Sequence, residues 1–163
     1  MPKSKNHKPY QNTELEFQKA FIKNSSLVLK NARFWKAEYP LFDALDLLKR
    51  ETFLSGLGEQ KRGIRHIGRI DLLFSYRSRF YAAEIKYHNP TDFWDATKIL
   101  AYTAYYNYQN EIMEGFDLAH PAIFVPLNGV KLAHKITANK LKIVIFGIEF
   151  KNGMFAALPL NLD

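Results

Sequence analysis

The chain has 163 residues and a mass of 19.0 kDa, enough for one domain with a hydrophobic core. Hydrophobic residues make up 47% of it, too many for a disordered chain, and no apolar run reaches the ~18–20 residues that cross a membrane. The absence of cysteine excludes disulfides and thiolate metal sites, while a net charge of +7 favours polyanionic partners.

The first twelve residues are predicted to form a flexible basic arm, and residues 13–163 a single domain. The arm contains Lys3, Lys5 and Lys8, but no apolar stretch of the kind found in a signal peptide follows it. We therefore expect a cytoplasmic protein.

A helix is predicted to begin at Thr13, which forms a capping box with Glu16. Glu14, Phe17 and Phe21 then share one face of this helix, which places Glu14 toward the core. Glu14 is the preferred candidate for a functional acid over Glu16, although a first-turn glutamate favoured by the helix dipole explains either residue equally well.

The stretch between this helix and residue 62 is harder to interpret. Residues 25–37 have no clear pattern, and residues 40–50 are typical of a short amphipathic helix. We interpret residues 30–62 as an insertion that shapes substrate binding.

A basic segment follows, punctuated by glycine. Its positive or ionisable residues are Lys61, Arg62, Arg65, His66 and Arg69. The segment runs directly into the apolar strands described next, so we expect these side chains to contact the phosphates of a nucleic acid, which position a duplex without reading its sequence.

Two apolar segments, around residues 70–74 and 80–85, are predicted to form a β-hairpin. If its loop is Arg77-Ser78, counting back along both strands places Asp71 opposite Glu84, with Cβ atoms about 4.5–5.5 Å apart. Lys86 shares the face of Glu84 because side chains alternate along a strand.

Two opposed carboxylates repel each other on a sheet, and a divalent cation would remove that repulsion. Lys86 would then assist an attacking water or stabilise charge on a phosphate. The alternative is an ordinary surface hairpin in which the lysine pairs with a carboxylate.

The rest of the chain alternates helices and strands. A helix capped by Thr91 or Asp92 is predicted to continue to about Met113, with one stripe packed on the sheet and a second stripe beside it. The packed stripe is Phe93, Ala96, Leu100, Ala104 and Tyr108, and the second is Trp94, Lys98, Tyr102 and Tyr105. Strands are predicted at 122–127, 141–150 and 154–158, with a helix at 132–139. This order predicts an α/β single domain with a mixed central β-sheet flanked by helices.

Asp71, Glu84 and Lys86 resemble the motif of the PD-(D/E)xK nuclease superfamily, including its RecB-type and junction-resolvase members. Ile70 stands where the family has proline, and Lys98 stands where RecB-type members have glutamine. The resemblance implies a restriction-endonuclease-like fold and a metal-dependent deoxyribonuclease, expected to be an endonuclease.

The resemblance also implies site residues and partners. Asp71, Glu84 and the carbonyl of Ile85 would bind Mg²⁺ or Mn²⁺, with Glu14 added from the early helix, and Lys98 would contact DNA. Duplex or branched DNA would be the substrate and a homodimer is compatible with the family, whereas RNA stays open as a substrate. The alternative function is a non-catalytic nucleic-acid-binding module or a structural subunit on the same fold.

Overall fold

The computed structural model describes residues 9–42, 66–87, 96–113 and 118–162. Within these ranges the helices are α1 (Pro9–Lys23), α2 (Ser25–Val28), α3 (Ala96–Met113) and α4 (Leu132–Leu141). The strands are β1 (Ala32–Phe42), β2 (His66–Tyr76), β3 (Arg79–Ile85), β4 (Ala119–Pro126), β5 (Val144–Lys151) and β6 (Met154–Pro159). None of the helices described is long and apolar enough to cross a membrane.

The six strands form one mixed sheet in the order β1-β2-β3-β4-β5-β6. Antiparallel pairing joins β1, β2 and β3, while β3, β4 and β5 run parallel and β6 returns antiparallel. The two parallel connections contain α3 and α4, because a parallel pair needs a long crossover. The expected α/β class, with a mixed sheet and flanking helices, is confirmed.

Aromatic side chains build the core between α1 and the sheet. Phe17 and Phe21 are fully buried, as their spacing predicts, and their ring centroids lie 5.1 and 5.7 Å from that of Phe124. Phe124 stacks on Phe146 of the neighbouring strand at 5.0 Å. Each such pair contributes about 0.5–1.5 kcal/mol beyond its buried area, so α1 is firmly attached to the sheet.

The predicted start of α1 is wrong. The helix begins at Pro9, so Thr13 lies inside it and does not form the N-terminal cap. Proline suits the first turn of a helix because its φ angle is already helical and it has no N–H to satisfy. Residues 9–12 of the predicted arm are therefore helical, and residues 1–8 lie outside the described part of the chain.

The segment that had no clear pattern contains β1, which pairs with β2 from Ala32 to Phe42. The helix predicted from Pro40 is therefore wrong at its start, where the chain is extended. Proline is tolerated there because β1 lies at an edge of the described sheet. Residues 43–62 lie outside the described residues, and an insertion there stays a prediction.

The buried face of α3 differs from the predicted stripe. Its buried residues are Ala96, Ile99, Thr103, Tyr106, Gln109 and Asn110, whereas Ala104 is exposed. Two of the polar residues have bonds that permit burial: the Thr103 hydroxyl donates to the carbonyl of Ile99 at 2.7 Å, and Gln109 Oε1 accepts from the Phe42 N–H at 3.1 Å. The pattern of apolar residues does not reveal these hydrogen bonds, so it predicted the wrong face of α3 as buried. Phe93 and Trp94 lie outside the described residues.

The predicted strands and helix after α3 are confirmed with small boundary changes. β5 begins at Val144, later than predicted, because α4 continues to Leu141 and Lys142 then turns the chain in the left-handed conformation with φ 57°. Asn152 and Gly153, both with positive φ, form the predicted turn into β6.

A close contact between Gly68 and Tyr102 attaches α3 to β2. A Cβ atom at Gly68 would overlap the hydroxyl and ring of Tyr102. The Tyr102 hydroxyl also donates a long hydrogen bond of 3.4 Å to the carbonyl of Ile67. Only glycine at position 68 therefore allows the tyrosine to lie on the strand.

We predict that Gly68→Ala lowers the free energy of unfolding by about 1–3 kcal/mol, because the new methyl group displaces the Tyr102 ring. In a Tyr102→Ala background the same change should cost far less, which a double-mutant cycle measured by urea denaturation would detect. Equal costs in both backgrounds would contradict the proposed contact.

Candidate functional site

The hairpin of β2 and β3 has the predicted register. Tyr76 pairs with Arg79 across the two-residue turn, and pairing continues to Leu72 and Ala83. Beyond that pair the Asp71 carboxylate takes the place of a backbone acceptor, since its Oδ2 accepts a hydrogen bond of 2.8 Å from the N–H of Ile85. We call this end of the hairpin, formed by Asp71, Glu84 and Ile85, the fork.

The pleat of the sheet is interrupted at the fork. Ala37 and Leu72 pack into the core under α1, whereas Tyr39 and Ile70, two residues away on the same strands, pack on the α3 side. Residues two apart on a regular strand share one face. The change of face falls at Asp71 and at the opposing Glu38, whose φ of 51° is left-handed. At this break the Asp71 side chain reaches the backbone N–H of Ile85 on the neighbouring strand.

An open cleft of about 190 Å³ lies between α1 and the fork, lined in part by Glu14, Gln18, Glu38 and Asp71. Gln18 Nε2 donates to Glu38 Oε1 at 2.9 Å and to the carbonyl oxygen of Asp71 at 3.0 Å. Glu14 Oε1 accepts from the Tyr87 N–H at 3.1 Å. The cleft is polar and has room for several waters.

Glu84 lies on the α3 side of the fork, and its side chain is only 4% exposed. Its Oε2 lies 3.6 Å from Nζ of Lys98, while its Oε1 is buried with no hydrogen-bond partner among the described residues. Burial raises the pKa of Glu84 to about 8, and the Asp71 carboxylate adds to this against the opposing effects of Lys98 and Lys86. The fork thus contains a carboxyl group that holds a proton near neutral pH.

Burial also raises the pKa of Asp71, although the hydrogen bond from Ile85 opposes this and the charge of Glu38 adds to it. The carboxyl groups of Asp71 and Glu84 are close enough to share one proton; when both are ionised neither can donate, and Glu84 Oε1 then has no hydrogen bond from the described residues. The fold therefore brings these two acids together.

Backbone hydrogen bonds fix Ile85 of the fork and the adjoining Lys86. The Lys86 N–H donates to the carbonyl of Phe124 at 2.8 Å, which fixes its backbone against β4, and its ammonium lowers the pKa of Glu84. The Ile85 N–H points to β2, and the N–H and C=O of a strand residue face the same neighbour. The Ile85 carbonyl is therefore directed toward β2, on the same side as the bond to Asp71.

Of the residues predicted to contact nucleic acid, Lys98 and Arg69 lie close to the fork, and the side chains of the others lie outside the described part of the chain. Lys98 contacts Glu84, and Arg69 is exposed on β2 two residues before Asp71. Lys61, Arg62 and Arg65 lie outside the described residues, as does the side chain of His66. Glu14 lines the cleft, whereas Glu16 is exposed.

Gln18 and Glu38 are the residues that sequence reasoning missed. Gln18 lies one helical turn after Glu14, on the face already assigned to the core, so that spacing alone could have suggested it. Glu38 gave no signal, because a left-handed glutamate in a strand has no sequence signature.

Donor chemistry at the fork fits a hard divalent cation. Mg²⁺ is bound through oxygen, commonly by one or two carboxylates together with water. Glu84 Oε1 is a buried oxygen without a hydrogen-bond partner in the described part of the chain, and Asp71 lies beside Glu84. Within the described ranges no three Asp, Glu or His side chains form a ready-made metal shell, so water or phosphate oxygens would complete the coordination.

No family model, no curated protein and no solved structure matches this chain.

Stability should depend on pH through Glu84. A pKa raised from 4.5 to about 8 means that the folded chain holds the proton more tightly, so this stabilisation is complete below pH 4.5 and is lost as the pH rises through about 8. With chelator present, we predict a decrease of roughly 2–4 kcal/mol in the free energy of unfolding over this range. Glu84→Gln should flatten the profile, and Glu149→Gln, which is not among the groups that shift the pKa of Asp71 or Glu84, should not. A parent profile as flat as that of Glu84→Gln would contradict the assignment.

The conformation of Glu38 gives a second prediction. Glu38→Gly and Glu38→Ala both remove the hydrogen bond from Gln18, but only glycine adopts a positive φ without strain. The glycine variant should therefore be about 1 kcal/mol more stable than the alanine variant, as measured by urea denaturation. If alanine is the more stable variant, residue 38 is not held in the left-handed region.

Proposed function

We propose that this chain is a metal-dependent deoxyribonuclease, an endonuclease that hydrolyses phosphodiester bonds in duplex or branched DNA. The observation that supports this most is the fork itself. Asp71 uses its carboxylate to hold Ile85, Glu84 is buried beside it with one oxygen that no described residue bonds, and Lys86 lies next to Glu84. A purely structural hairpin gains nothing from two converging acids.

The proposal extends to the family and the fold. An acid on one strand, Glu-x-Lys on the next and a glutamate on an early helix are the features that the PD-(D/E)xK resemblance implies. Asp71, Glu84 and Lys86 follow that order along the chain, Asp71 and Glu84 interact at the fork, and Glu14 lines the cleft beside Asp71. We propose a restriction-endonuclease-like fold on this basis, and a DNA partner on the basis of the net charge of +7.

Each site residue has a role that follows from its position. Asp71, Glu84 and the carbonyl of Ile85 would hold Mg²⁺ or Mn²⁺, and Glu14, fixed by the Tyr87 N–H, would bind water at the cleft. The bound cation would supply charge to the scissile phosphate and make a nearby water more acidic. Lys86 would orient that water or offset the negative charge that develops on the phosphate.

The test is incubation with supercoiled plasmid, linear duplex, single-stranded and branched DNA, with Mg²⁺, with Mn²⁺ and with chelator. We expect metal-dependent cleavage that Asp71→Asn and Glu84→Gln abolish while DNA binding persists, because the ligands are lost and negative charge is removed. Lys86→Ala should lower cleavage by about 100- to 10,000-fold, and Lys86→Arg should not restore it, since arginine does not transfer protons.

Cleavage at the parent rate in the Asp71 and Glu84 variants would reject the fork as the active site. DNA binding by the parent chain without cleavage under any metal condition would favour the non-catalytic binding module.

A further inference from the structure

The two oxygens of the Glu84 carboxylate have different surroundings. Oε2 faces the ammonium of Lys98 at 3.6 Å, whereas Oε1 is buried without a partner among the described residues. The Glu84 side chain is 4% exposed and that of Lys98 is 39% exposed. Lys98 therefore reaches inward from a partly exposed position to hold one oxygen of a buried acid.

Lys98 is itself held by its surroundings. Its Nζ lies 5.2 Å from the ring centroid of Tyr102, a distance suited to a cation–π contact. Tyr102 in turn lies on Gly68, where the absence of a side chain leaves room for its ring. The ammonium is thus placed by Glu84 on β3 and by Tyr102 on α3, and Tyr102 is itself seated on Gly68 of β2, unlike a freely moving surface lysine.

We infer that Lys98 is a positioning residue of the cation site: by holding Oε2 of Glu84 it fixes the carboxylate and leaves Oε1 for the cation bound with Asp71. This inference rests on the proposed function only in taking the fork as the cation site. It replaces the DNA contact that the resemblance implies for Lys98 with a role inside the protein.

Two physical effects oppose each other here. An ammonium next to a bound cation repels it, which alone would make removal of Lys98 tighten metal binding. A partner that orients a ligand strengthens binding, and its loss typically costs about 10- to 100-fold in metal affinity. The geometry favours the second effect, because Lys98 pairs with one oxygen of Glu84 while the other oxygen has no hydrogen-bond partner within the described ranges.

The experiment is calorimetric titration of Mn²⁺ into the parent chain and its variants, with circular dichroism to verify folding. Lys98→Met should weaken Mn²⁺ binding by about 10- to 100-fold, and Lys98→Arg should restore it to within a few-fold of the parent. The matched control is Lys151→Met, which breaks a Lys–Glu pair of 3.4 Å between side chains that are 75% and 33% exposed and should leave Mn²⁺ affinity unchanged.

A second variant keeps the test decisive if Lys98→Met does not fold. Lys98→Gln is polar but cannot form the ion pair, and it too should bind Mn²⁺ at least about 10-fold more weakly. Parent-like or tighter Mn²⁺ binding by the folded Lys98 variants would overturn the inference.

DNA binding in chelator separates the two roles of Lys98. A phosphate contact would lower the slope of log affinity against log salt by about 0.9 in Lys98→Met, whereas a positioning residue leaves that slope unchanged. A lower slope with unchanged Mn²⁺ affinity would assign Lys98 to DNA and overturn the inference.

Cleavage is not needed for any of these measurements. If Mn²⁺ binding depends on Lys98 but no DNA is cleaved, the proposed nuclease activity fails and the inference stands. If DNA is cleaved but Lys98→Met binds Mn²⁺ normally, the inference fails and the nuclease stands. A parent chain that binds no Mn²⁺ would overturn both.

Discussion

The hydrogen bond from the Ile85 N–H to the Asp71 carboxylate is the constraint on which the site depends. In a regular antiparallel pair that N–H would donate to a carbonyl of β2, and the ladder would continue. Here a side chain takes the place of the carbonyl, so β2 and β3 remain attached while the backbone pairing has already ended at Leu72 and Ala83. The sheet can therefore open without leaving the Ile85 N–H unsatisfied.

The opening has an electrostatic cost that the rest of the fold offsets only in part. Burial raises the pKa of both Asp71 and Glu84, and the charge of Asp71 raises that of Glu84 further. Lys98 and Lys86 reduce this cost but leave Glu84 with a pKa of about 8, and one of its oxygens accepts no hydrogen bond from the residues that the structure describes. Strongly perturbed acids that gather at an opening of the structure are typical of functional sites.

Sequence reasoning was accurate where local rules decide the outcome. The turn at Arg77-Ser78 fixed the register of the hairpin as far as Leu72 and Ala83. The predicted opposition of Asp71 and Glu84 falls one pair beyond this ladder, where the Asp71 carboxylate instead accepts from the Ile85 N–H. Phe17 and Phe21 are four residues apart, so they lie on the same face of α1, and both are buried.

Prediction failed where long-range contacts decide the outcome. Thr13 has the chemistry of a helix cap, yet α1 already begins at Pro9. The left-handed Glu38 depends on a pleat break shared with Asp71, which no local pattern encodes. The buried face of α3 includes Gln109 because β1 supplies the Phe42 N–H as its partner, and a scale of hydrophobicity does not contain that information.

The site is anchored on both faces of the sheet, which explains how an interrupted pleat stays ordered. On one face the aromatic core under α1 holds the helix that carries Glu14 and Gln18. On the other face the contact between Gly68 and Tyr102 holds α3, which carries Lys98. α1 and α3 thus approach the carboxylates of the fork from opposite faces of the sheet. The aromatic core and the Gly68–Tyr102 contact that hold these helices do not involve the carboxylates. Loss of charge at the fork should therefore alter its chemistry more than its architecture, since neither anchor includes Asp71 or Glu84.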